Sequence, residues 1–147
     1  MKILRALALV LLALAALPVL ALDYRSLAEA APMYDAPSQK AVPLFVIARH
    51  TPVEVVVALE GWCKVRDSSG SLAWVEKRLL SERRTLLVIA PRAQVRSEAA
   101  AKAPLVFEAE QNVLLELVEP VPVAGWAKVR HRDGQTGYVR VDQVWGV

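Results

Sequence analysis

Cysteine is almost absent: Cys63 is the only one in 147 residues. A lone thiol cannot close an internal disulfide, so the fold must rest on packing alone. Histidine is nearly as scarce. His50 and His131 are the only two, and neither has a second ligand-type side chain at metal-binding spacing. Both read as loop or surface residues, and neither a metal nor an organic cofactor is expected. Helical periodicity is thin beyond residue 21. Leu27–Ala31 and Glu76–Leu80 suggest single turns too short to stand alone, and the alanines of 99–103 stop at Pro104. Charge of one sign is lacking as well. The formal net charge is +3, from 18 Lys and Arg against 15 Asp and Glu.

A long hydrophobic run occurs once, at the start. Lys2 and Arg5 precede an uncharged stretch from Ala6 to Ala21 that ends in Val19-Leu20-Ala21. A short positive region, an apolar run and small residues at its end make a secretory signal, cleaved after Ala21. The run falls short of the ~20 apolar residues of a spanning helix. Pro18 also favours processing over retention as an anchor, and no cysteine follows to carry a lipid. Removal of residues 1–21 leaves 16 cations against 15 acids, a net charge of +1. That balance gives no electrostatic footprint for nucleic acid. A periplasmic or secreted location follows, without a stable membrane span.

The remaining chain is written twice. Gly61-Trp62-Cys63-Lys64-Val65-Arg66 lies over Gly125-Trp126-Ala127-Lys128-Val129-Arg130, and the match continues at an offset of 64 through Gly70/Gly134, Trp74/Tyr138, Val75/Val139 and Leu80/Val144. Upstream, Tyr34/Val95, Pro43/Pro104, Leu44/Leu105 and Ala48/Ala109 align at an offset of 61. Pro120–Ala124 is extra in the second copy and reads as a loop insertion. The boundary falls in the charged stretch Ser81-Glu82-Arg83-Arg84, which divides the chain into a signal (1–21) and two units (22–82 and 83–147). Each unit is near the lower size limit for a domain without staples.

Within each unit the pattern is that of short strands. Val53, Val55, Val57 and Leu59 alternate with Glu54, Val56, Ala58 and Glu60; Val113, Leu115 and Leu117 alternate with Leu114, Glu116 and Val118. Cys63 and Val65 share one phase, and Trp62, Lys64 and Arg66 the other. Asp67-Ser68-Ser69-Gly70 and Arg132-Asp133-Gly134-Gln135 are hairpin turns that use glycine for positive φ. Strand, strand, turn, strand with little helix predicts an all-β fold: two tandem small antiparallel barrels.

Gly-Trp-x-Lys-Val-Arg, a glycine turn, then aromatic-Val resembles the bacterial SH3-like domain. Val95-Arg96-Ser97 looks like the end of that family's opening strand, and Tyr34-Asp35-Ala36-Pro37-Ser38 like its counterpart in the first copy. More narrowly, the chain resembles small exported tandem SH3 proteins of Gram-negative bacteria. It departs from the family pattern at Ala73, where the second copy keeps Gly137, and at Tyr138, where a tryptophan is usual. The resemblance implies binding to cell-wall or envelope partners.

The candidate ligand-binding residues are Trp62, Trp74, Trp126, Tyr138, Lys128 and Arg130. Flat aromatic faces with polar edges suit glycan or peptide, although tryptophans also cap small barrels. Trp145 is expected to pack across the end of the second barrel. Arg130, Arg132, Lys128 and Arg140 could form a basic patch, offset by Glu108, Glu110, Glu116 and Glu119. Cys63 lies mid-strand on the buried phase, with Ala127 at the matching place, so it reads as a small core residue and not as a nucleophile. No nucleophile, base and orienting group can be assembled. The expected function is a non-catalytic binding module for peptidoglycan or an envelope protein. The alternative is an adaptor that offers a sheet edge, Val53–Leu59, to an envelope protein.

Overall fold

The computed structural model describes residues 21–147; the leader and most of the expected signal lie outside them. The first sheet comprises β1 (Tyr24–Leu27), β2 (Ala31–Tyr34), β3 (Pro43–Ile47), β4 (Pro52–Ala58), β5 (Trp62–Arg66), β6 (Leu72–Glu76) and β7 (Leu80–Ser81). The second comprises β8 (Thr85–Val88), β9 (Arg92–Arg96), β10 (Leu105–Glu110), β11 (Leu114–Leu117), β12 (Trp126–Arg130), β13 (Thr136–Arg140) and β14 (Val144–Trp145). The orders are β3-β2-β6-β5-β4-β1-β7 and β10-β9-β13-β12-β11-β8-β14. All pairs are antiparallel, and the second order repeats the first strand for strand.

Among the described residues the regular helical content is two 3-10 turns, Lys77–Leu79 and Val141–Gln143, each leading into the last strand of its unit. The turn read over Glu76–Leu80 is the first of these. The turn read over Leu27–Ala31 does not form: Leu27 ends β1 and Ala31 opens β2.

Alternation fixes the cores. Cys63, Val65, Ala73 and Val75 point inward with Leu27, Met33 and Val53; Ala127, Val129 and Val139 do so with Leu86, Val95 and Leu115. The two clusters are separate, one per unit. The alternation read along β4 fails beyond Val55. A register shift between Val55 and Val57 marks a bulge, and Val57 and Leu59 lie exposed.

Strand register also corrects the repeat alignment. Tyr34 pairs with Trp74, whereas Arg96 pairs with Tyr138. Tyr34 therefore corresponds to Arg96 and not to Val95. Met33 opposite Phe45 and Val95 opposite Phe107 give the same answer. Glu54 opposite Arg66 recurs as Glu116 opposite Arg130. The proline-containing insertion sits between β11 and β12.

The two units are docked through a short connection, Glu82-Arg83-Arg84. Ser26 Oγ donates to the Arg83 carbonyl at 2.6 Å, and Thr85 Oγ1 donates to the His50 carbonyl at 2.6 Å. Both hydroxyls are buried, so these bonds satisfy them. Arg84 Nη2 donates to the Gly146 carbonyl at 2.7 Å, while its guanidinium lies 5.5 Å from the Tyr24 ring. Burial lowers the Arg84 pKa, yet a guanidinium stays charged. Trp145 meets Tyr24 edge to face at 5.1 Å. Trp145, paired with Leu87 in its own sheet, thus also packs against the first unit.

Candidate functional site

The outer face of each sheet collects the side chains of the phase opposite the core. On the first unit, Tyr34, Trp74 and Lys64 form a row across β2, β6 and β5. Trp62 meets the Tyr34 ring edge-on at 5.7 Å, and Lys64 Nζ lies 6.0 Å from the Trp74 ring. Glu76 stands opposite Trp62 and accepts from Arg78 Nε at 2.7 Å and Gln39 Nε2 at 3.0 Å. Those two hydrogen bonds hold its carboxyl below the ordinary range. All three aromatics are half-buried, so each keeps an accessible surface.

On the second unit the row is Arg96, Tyr138 and Lys128. Lys128 Nζ lies 6.0 Å from the Tyr138 ring and 3.0 Å from Glu119 Oε1. The hydrogen bond to Glu119 raises the Lys128 pKa. Trp126 stands opposite Arg140, whose guanidinium is 6.0 Å from its ring. Trp126 also lines a shallow depression of about 90 Å³ with Arg96, Arg140 and Gln94. The first face thus carries three aromatics, and the second two aromatics flanked by two arginines. Sequence reasoning missed Tyr34, Lys64 and Arg96; aligned at the true register, Tyr34 over Arg96 would have exposed the shared row.

The structure brings Trp62 and Trp74 onto one face, and Trp126, Tyr138 and Lys128 onto the other. Arg130 is not among them. It sits at the far end of β12, paired with Glu116 at 3.5 Å, and lines a different feature. This is a cleft of about 460 Å³ where the units meet, lined by His50 of the first unit, by Arg83 of the connection, and by Thr85, Asn112–Glu116 and Arg130–Arg132 of the second. The expected basic patch is therefore divided. Lys128 and Arg140 lie toward the aromatic face, each paired with an acid, and Arg130 and Arg132 lie in the cleft. Both histidines lie in loops, as expected, and both line the cleft. His50 and Asn112 hold corresponding loop positions, with φ of 67° and 70°.

The family model of the bacterial SH3 domain matches the chain twice, over residues 28–82 and 90–146. The chain belongs to the bacterial SH3 domain family. No curated protein matches its sequence. Solved structures similar to the tandem SH3 chain include NlpC2 from Trichomonas vaginalis, at 14% identity, covering 84% of this chain and 48% of that one, with a TM-score of 0.40. NlpC1 from the same organism gives 16%, 89%, 48% and 0.40. An NlpC/P60 family protein from Bacillus cereus gives 15%, 83%, 55% and 0.38. The tandem SH3 chain spans about half the length of these proteins.

The departure from the SH3 pattern at Ala73 acquires a physical reason. At Gly137, an added Cβ would lie 2.6 Å from the Arg96 carbonyl oxygen and 2.6 Å from Val95 Cγ1. The first SH3 domain has Met33 where the second has Val95, so no β-branch points at Ala73. Cys63 lies in the first core with 2% exposure, and burial raises its thiol pKa. An activated thiolate needs the opposite environment. Among the described residues no helix is long and apolar enough to cross a membrane.

Proposed function

We propose that the tandem SH3 chain is an extracytoplasmic, non-catalytic binding module that recognises peptidoglycan or a wall-associated protein through its outer aromatic faces. The observation that carries this reading is the clustering of half-buried aromatics beside cations at the same place on both barrels. Tyr34, Trp62 and Trp74 offer flat apolar surface with polar rims to a sugar ring or an extended peptide. Trp126 and Tyr138, with Arg96 and Arg140 beside them, suit a more anionic segment. The leader that precedes the barrels is consistent with export.

The test is amide-resolved NMR of residues 22–147 titrated with soluble wall fragments. Shifts confined to β2, β5 and β6, or to β9, β12 and β13, support the faces. The absence of shifts at those strands with both glycan and stem-peptide fragments counts against them.

A second reading, an adaptor that offers a sheet edge to an envelope protein, is favoured by one observation. Its edge is not Val53–Leu59, because β4 lies between β5 and β1. The terminal strands of the first sheet are β3 and the two-residue β7, and on β3 Leu44 is 49% and Val46 67% exposed. No charge interrupts residues 41–48, whereas the corresponding β10 carries Glu108 and Glu110. Charged residues protect exposed sheet edges, and β3 has none. Replacement of Val46 by lysine would abolish envelope-protein crosslinking under this reading and leave wall binding intact.

A further inference from the structure

We propose that the cleft between the two barrels is a binding site for a short peptide with a free terminal carboxylate. The inference does not depend on the aromatic faces, which lie on other surfaces.

The argument starts from charge. Arg83, Arg130 and Arg132 line the cleft, and Glu116 is the one carboxylate that lines it. Glu116 is shared: Arg83 Nη2 lies 3.2 Å and Arg130 Nη1 3.5 Å from the same oxygen. Two guanidiniums on one carboxylate leave donors and positive charge uncommitted, and Arg132 forms no ion pair among the described residues. Guanidinium groups bind carboxylates in a forked, two-bond geometry that combines charge with direction. His50 and Asn112 add polar groups from opposite sides. Val113 and Leu114 are half-buried walls that a bare inorganic anion would not use and an aliphatic side chain would. The volume of about 460 Å³ falls within the ~300–1,000 Å³ typical of small-ligand sites.

The duplication supplies an internal comparison. The Glu54–Arg66 pair of the first barrel recurs as Glu116–Arg130, so that pair belongs to the common fold. The turn that follows does not recur. Asp67-Ser68 in the first barrel stands where His131-Arg132 stands in the second, with the same backbone bonds around each: Asp67 to Ser71 and His131 to Gln135. The acid that caps the turn moves two places, from Asp67 to Asp133, which accepts from the Gln135 N–H at 3.0 Å and pairs with His131 at 3.0 Å. The two positions that border the cleft are thereby left to a histidine and an arginine. Docking completes the site: His50 comes from the first barrel, and its carbonyl accepts from Thr85 of the second at 2.6 Å.

The experiment is an NMR titration of the purified protein with trialanine and with its C-terminal amide. Amide shifts at Asn112 and His131 report on the cleft, and the free acid binds at least tenfold more tightly than the amide. The double replacement His131→Asp with Arg132→Ser, which installs the residues of the first barrel, weakens binding at least tenfold. Arg83→Gln, in the connection and outside both sheets, is a second variant with the same expected direction. The amides of Trp62, Trp74, Trp126 and Tyr138 do not shift in the same titration, which separates this site from the aromatic faces. Tripeptides ending in L-alanine and D-alanine distinguish a protein terminus from a wall stem peptide; tighter binding of either supports the site and names its source. Equal affinity for acid and amide, or unaltered affinity in both the double variant and Arg83→Gln, would overturn the proposal.

Discussion

Gly137→Ala has a sign that the structure alone decides. Alanine in place of glycine ordinarily stabilises by about 0.4–1 kcal/mol where the backbone suits it, because the unfolded chain loses freedom. Gly137 lies in β13 without a positive φ, so backbone strain does not oppose the change. Packing does. The new methyl would sit 2.6 Å from both the Arg96 carbonyl oxygen and Val95 Cγ1, and the first of these is backbone held in a sheet. Relief requires β9 and β13 to part, and such overpacking costs roughly 1–3 kcal/mol. In a domain of 60–100 residues each kcal/mol shifts Tm by about 4–8 °C. Thermal unfolding followed by circular dichroism therefore shows a fall of several degrees in the transition of the second barrel. Val95→Ala removes Cγ1 but also core packing, so the relief shows as a double variant that loses less than the sum of the two single changes. An unchanged or raised Tm in Gly137→Ala would refute the reasoning.

Gly146→Ala strikes the docking of the barrels. Its φ is +110°, and a Cβ would lie 2.9 Å from the Thr85 carbonyl oxygen and 3.1 Å from Pro52 Cβ. Small-angle scattering should show a larger radius of gyration while each barrel keeps its strand signature. Cys63 should resist alkylation at neutral pH in the native protein and react fully in denaturant, since burial both covers the thiol and raises its pKa. His50 carries a lowered pKa, from burial first and then from Arg49 and Arg83. A lowered folded value means that its contribution to stability is complete above the unfolded value, about 6.5, and is lost as pH falls through the folded value. His50→Asn, the residue at the matching loop position with the same positive φ, should narrow the Tm difference between pH 7.5 and pH 5.

Much of the fold was legible because the duplicated hexamer fixes the register of two strands in each barrel. Trp62, Lys64 and Arg66 on one phase and Cys63 and Val65 on the other are a direct consequence of period-two geometry. The upstream offset was misread because apolar residues match one another at several registers. Tyr34 was laid over Val95 by apolar likeness, whereas strand pairing places it over Arg96. The bulge in β4 was hidden for the same reason: a run of valines gives no local signal of where alternation breaks. The contact of Trp145 with Tyr24 and the place of His50 beside the second barrel depend on how one barrel docks on the other, and a pattern local to each copy carries nothing about that. The candidates on the outer faces emerged correctly as one phase of their strands. Arg130 shares that phase but lies at the other end of its strand, which alternation does not distinguish.

The central claim is that the aromatic faces make the tandem a wall-binding module. Co-sedimentation of residues 22–147 with isolated peptidoglycan sacculi, at low and high salt, tests it most directly when repeated with Trp62→Ala and Trp126→Ala variants shown to be folded. The account predicts sedimentation that survives high salt and is lost or sharply reduced when the aromatics are removed. Sedimentation that vanishes with salt, or that persists in both aromatic variants, would contradict it.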